Sequence, residues 1–100
     1  MYTPIYLPSF DVDLAVAEDY LFEHSPPAAD KLAQSLDEQM VNLKKYPFMY
    51  PVYAAYQGNV AYRIMPLPYQ FLCFYTVDED AKIINMSRVL HSTRNIPEIL

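Results

Sequence analysis

The stretch His24–Asp30, HSPPAAD, decides how the rest of this chain is read. Pro26 and Pro27 lack the N–H that a helix interior needs, so they end any helix arriving from upstream, while Pro27 is tolerated in the first turn of a new one. Upstream, Phe10, Leu14, Ala17 and Leu21 recur at helical spacing and predict a helix near 10–24. Ser9 is its expected N-cap, with Asp11 and Asp13 in a first turn where the helix dipole favours negative charge. Downstream, Leu32, Leu36, Met40 and Leu43 predict a second helix running to about Tyr46. A connector this short folds the two into an antiparallel helical hairpin.

Outward from the hairpin the pattern turns to strands. The opening MYTPIYLP alternates, and Pro4 cannot donate to a ladder, so a short edge or first strand is expected there. YPFMYPVYAAYQGNV (residues 46–60) holds the only glycine, Gly58, and reads as an irregular crossing from helices to sheet. Three β-rich runs follow, VAYRIMPL, YQFLCFYTV and KIINMSRVL, the last two separated by the acidic turn DEDA, and then a short tail. The order predicts an α+β domain spanning residues 1–100, with an N-terminal strand, a helical hairpin, then a three- to four-stranded, mostly antiparallel sheet. Both helices are expected on one face.

Composition narrows the function classes. With 53% hydrophobic and 19% charged residues, persistent disorder is not expected despite nine prolines. No apolar run is long enough for a membrane span, and MYTPIYLPSF lacks a signal peptide's layout, which makes the cytoplasm the expected location. Cys73 is the only cysteine, which excludes an intramolecular disulfide and a multi-cysteine zinc site; no cofactor or metal is expected. Flanked by Leu72 and Phe74, its thiol is read as buried and inert. A net charge of −5 argues against a broad grip on phosphates. Seven of the ten tyrosines fall between Tyr46 and Tyr75, but no Arg or Lys is interleaved closely enough for base stacking, so a protein interface is the reading preferred. His24 sits favourably against the dipole at the end of the first helix.

Taken in order, the hairpin with its short interruption, LKKYP closing the second helix, AYRIMPL, and FYTVDED leading to RVLHSTRNIPEIL resemble the RelE/ParE superfamily, the toxins of bacterial type II toxin–antitoxin modules, often called plasmid stabilisation proteins. The resemblance covers nearly the whole chain. Its ending, FY-x-V-D followed by RVLH-x-x-R-x-I, is similar to the ParE-like branch.

Two mechanisms are implied by that resemblance. RelE-like members cleave messenger RNA on the ribosome and need groups that activate the 2′-hydroxyl, stabilise the anionic phosphate and protonate the leaving oxygen. ParE-like members poison DNA gyrase by protein contact. Of the two strand lysines that RelE-like nucleases carry, the first falls on Arg63 and the second on Met65; their arginine falls on Leu72, which cannot stabilise a phosphate. The residues beyond the last strand fall near His91 and Ser92, and the terminal tyrosine has no match. The reading is therefore a non-enzymatic, ParE-like toxin that inhibits growth, with a cognate antitoxin and DNA gyrase as implied partners, as a homodimer or a toxin–antitoxin hetero-oligomer. The alternatives are a ribosome-dependent endoribonuclease with a degenerate site built from Arg63, His91 and Lys45, or an inactive family member.

Arg88, His91, Arg94 and Arg63 are the candidate contacts for target or antitoxin. Arg88 has a structural reading beside that one, pairing with an acidic residue such as Glu18 or Asp19. Lys44 and Lys45 end the second helix, where cations offset the dipole, and form a basic patch with Arg63 as the second reading. The antitoxin of this family places a helix in a groove by the hairpin and extended chain near the sheet. Leu14, Leu21, Leu32 and Leu36 are the expected lining, or else they belong to the core.

Overall fold

A computed structural model describes all 100 residues. The elements run β1 (Thr3–Tyr6), α1 (Pro8–His24), α2 (Pro26–Leu43), β2 (Arg63–Pro66), a single 3-10 turn (Pro68–Gln70), β3 (Phe71–Asp78), β4 (Ile83–His91) and α3 (Ile96–Ile99). The order matches the sequence reading, with α3 added in the tail.

One residue, Ser25, separates the two long helices. Its extended backbone (φ −162°, ψ 103°) reverses the chain, its N–H donates to the Leu21 carbonyl at 2.7 Å, and its own carbonyl accepts from Ala28 at 2.9 Å. Pro26 opens α2, where the missing N–H costs nothing. The entry to α1 differs from expectation: Leu7 is the N-cap and Pro8 the first helical residue, so Ser9 is already inside the helix and its hydroxyl donates to the Ser87 carbonyl at 2.7 Å. Nor does α2 reach Tyr46. Pro47 drives the residue before it out of the helical region, and the last helical residue is Leu43.

The sheet is four-stranded in the order β1-β4-β3-β2. β4 and β2 both pair antiparallel with β3, while β1 runs parallel to β4 at one edge, with Pro4 where a missing donor is tolerated. Between Phe74 and Tyr75 the register slips: Phe74 faces Arg88 but Tyr75 faces Met86, leaving Ser87 as a bulge. The bulge reverses the alternation along β4, so that Ile84 and Met86 before it and Val89 after it all face the hairpin.

Both sheet faces are covered. On the hairpin side, Met65, Phe71, Cys73, Tyr75, Ile84, Met86 and Val89 pack against Phe10, Ala17 and Leu21 of α1 and Leu32, Leu36, Met40 and Leu43 of α2. Each large aliphatic side chain buried there stabilises the fold by roughly 1.5–3 kcal/mol. On the opposite face, Phe74 and Leu90 meet Ile96 of α3, flanked by Tyr53, Tyr62 and Ile64. Cys73 lies in the first cluster with no exposed surface, and burial pushes its thiol well above the ordinary cysteine range, which makes it unreactive.

Candidate partner-binding cleft

β1 pairs with β4 only over residues 83–86, so the rest of that edge is left without a strand. α1 takes over. Ser9 donates to the Ser87 carbonyl, and one turn later Asp13 accepts the Val89 N–H at 3.1 Å. The same carboxylate receives Arg88 in a two-point pair, Nε to Oδ2 at 2.6 Å and one terminal nitrogen to Oδ1 at 3.0 Å. This is the only salt bridge in the structure, with the Arg88 side chain 27% and the Asp13 side chain 13% exposed. The hydrogen bonds it donates to Asp13 hold Arg88 even more firmly protonated than a free guanidinium. Arg88 is thus paired, as its structural reading held, but with Asp13; Glu18 and Asp19 take no part.

Beyond that pair, α1 and the end of β4 enclose a cleft of about 530 Å³, lined on one side by Val16, Ala17 and Tyr20 and on the other by Arg88, His91 and Arg94. The three basic residues singled out in the sequence therefore share one site. Arg94 is exposed and without an ion pair; its N–H donates to the His91 carbonyl at 3.0 Å, turning the chain back over the strand end. The His91 ring stands edge-on to Phe71, 5.2 Å between centroids. Its Nδ1 accepts the Thr93 N–H at 3.3 Å and meets the Thr93 hydroxyl at 2.8 Å. In the neutral ring Nε2 therefore carries the proton, and no carboxylate orients it.

α1 carries a second apolar stripe beside this cleft. Val12, Val16 and Tyr20, spaced by four, are 63%, 63% and 55% exposed. Of the two readings of the leucines, the core one fits this arrangement: Leu21, Leu32 and Leu36 are 6%, 0% and 5% exposed and hold the hairpin to the sheet, and Leu14 packs half-buried against the same cluster. The open surface of α1 lies on the stripe that the core does not use. Its spacing was readable; its exposure was not.

The other candidates lie elsewhere. Arg63 donates to the Tyr50 carbonyl at 2.7 Å and the Phe48 carbonyl at 3.4 Å, and its guanidinium stands 4.9 Å over the Phe48 ring, so it pins the crossing segment. In the sheet Arg63 is opposite Tyr75 and His91 opposite Phe71. Four residues along β3 and two strand spacings across it put their Cα atoms on the order of 16 Å apart. Exposed Lys45 follows α2 into the segment that Arg63 pins. Arg63, Lys45 and His91 thus form no common catalytic set. His24 closes α1, with Nδ1 2.9 Å from the Tyr20 carbonyl and its ring 4.5 Å from that of Tyr20.

Comparison with known proteins bears on the family and the fold. A family model, the ParE toxin of the type II toxin–antitoxin system parDE, matches residues 5–96. Among solved structures, a chain of the chromosomal ParDE TA system from P. aeruginosa superposes with a TM-score of 0.68 at 20% identity, covering 91% of this chain and 96% of that one. At that identity the likeness speaks for the fold. None of the curated proteins compared matches this chain.

Proposed function

The chain belongs to the ParE toxin family of type II toxin–antitoxin systems, and from that premise we propose that it is a growth-inhibiting toxin that acts by gripping a protein, DNA gyrase being the implied target, and is silenced by a cognate antitoxin. The observation that carries the antitoxin part of this reading is the exposed Val12–Val16–Tyr20 stripe running into a cleft that ends in Arg94 and His91. An amphipathic antitoxin helix lays its apolar face on the stripe, and acidic side chains beside it meet Arg94 and His91. Arg88 supports the cleft wall; with its charge already answered by Asp13, it contributes shape and leaves Arg94 as the principal cation.

The geometry counts against the nuclease alternative. Cleavage of RNA needs an acid, a base and a cation converging within hydrogen-bond reach of one phosphate, whereas Arg63 is spent on backbone carbonyls and stands at the far end of β3 from His91.

Co-expression with the cognate antitoxin tests the docking surface. Val16→Lys with Tyr20→Lys, both at exposed positions, is expected to leave the toxin folded and toxic while weakening the complex at least tenfold, so that the antitoxin no longer rescues growth. Unchanged rescue and affinity would move the antitoxin to another surface.

A further inference from the structure

At the end of the sheet away from the cleft, residues distant in sequence form a row in which cations and rings alternate. Lys82 Nζ lies 4.9 Å from the Tyr2 ring centroid, Tyr2 meets Phe48 edge-on at 6.4 Å and 84°, and Arg63 stands 4.9 Å over Phe48. Backbone hydrogen bonds fix the row: Tyr2 N–H donates to the Lys44 carbonyl at 2.9 Å and Thr3 N–H to the Lys82 carbonyl at 2.8 Å. With Lys44 and Lys45, four of the seven Lys and Arg residues of an acidic chain are drawn to this end, and none of the four is in a salt bridge. Tyr46, Phe48 and Met49 beside them are 64%, 47% and 48% exposed. The interleaving of cations and aromatics that is missing along the sequence is present in space.

We infer that this row is a second docking surface, and that its occupant is an acidic polypeptide segment in which carboxylates are spaced by apolar side chains. Unpaired cations and exposed apolar groups together call for a partner carrying both negative charge and apolar surface. A nucleic-acid strand fits less well. One face of the Phe48 ring and one of the Tyr2 ring, where a base would stack, are already taken by Arg63 and Lys82. Spaced carboxylates instead meet the outward N–H groups of the cations, and apolar side chains between them cover Tyr46 and Met49. Lys82 immediately precedes β4 and His91 ends it, about 30 Å away along the strand, so this surface stays free when the cleft is filled.

Fluorescence anisotropy on the full chain tests the inference with three labelled probes: a peptide of glutamates interrupted by phenylalanines, the same peptide with glutamine for glutamate, and an oligouridylate. The glutamate peptide is expected to bind and the other two are not. Lys45→Gln combined with Lys82→Asn, which suits the left-handed backbone at position 82 (φ 58°), should weaken that binding about tenfold, while Lys31→Gln, a loss of charge at an exposed position of α2, leaves it unchanged. No binding of the glutamate peptide, tighter binding of the oligouridylate, or sensitivity to Lys31→Gln in place of the paired changes would each overturn the inference.

Discussion

At Asp13 a single carboxylate answers two donors, the Val89 N–H on an edge that no strand covers and the Arg88 guanidinium beside it. Removing it leaves both without a partner in a partly closed site. Asp13→Ala is expected to cost about 2–3 kcal/mol in urea unfolding, whereas Arg88→Met, which leaves the carboxylate still bound to Val89, should cost about half as much. The sequence offered pairing as one of two readings of Arg88, with Glu18 or Asp19 as the example partners and not Asp13. Its partner depends on how α1 crosses β4, and that crossing is set by Leu7 and Pro8 starting the helix earlier than Ser9 suggested. Tyr75 makes a second prediction at this scale. Its hydroxyl donates to the Pro47 carbonyl at 2.8 Å with no exposed surface, and burial pushes it up to about 12 from 10.0. With the folded value raised, the unfolded chain loses this proton first, so stability is full below pH 10 and is lost as pH rises from about 10 towards 12. Tyr75→Phe should be about 1 kcal/mol less stable at neutral pH, with a shallower alkaline loss in urea titrations taken across that window. The loss does not vanish, because burial raises Tyr6, Tyr50 and Tyr62 in the same direction.

Elements were legible where one periodicity ruled. The Phe10, Leu14, Ala17, Leu21 and Leu32, Leu36, Met40, Leu43 series marked the packing faces of both helices, and the structure buries them, Leu14 only in part. Two things were not legible. A short tail helix is held by tertiary contact alone: α3 has four residues and exists because Ile96 fits against Phe74 and Leu90. The parallel pairing of β1 with β4 is likewise invisible, since no local signal says which strand an N-terminal run will join. The alternation that would have shown the sheet's faces is also broken at Ser87 by the bulge. Ile96→Ala should therefore cost about 2–4 kcal/mol, more than a tail residue ordinarily does, and thermal unfolding would show it as a lowered midpoint.

For the whole molecule, the basic cluster at the end of the chain and the order of its elements pointed to the right family, and the proposed docking surface followed from them only in part. Arg88, His91 and Arg94 do meet in one cleft, but the apolar surface beside them is Val12, Val16 and Tyr20, a stripe visible only once the core has claimed the other side of α1. Arg63 and Lys45 belong to the far end, where tyrosines and lysines scattered along the chain converge. That division separates the proposed cleft from the proposed second surface and keeps Arg63 and Lys45 apart from His91. Induced expression of the chain alone in bacteria, with DNA supercoiling and messenger-RNA integrity followed in the same cells, tests this most directly. Growth arrest with altered supercoiling and intact messages is the predicted result. Early ribosome-dependent message cleavage, abolished by Arg63→Ala with His91→Ala in a protein that still folds, would contradict it.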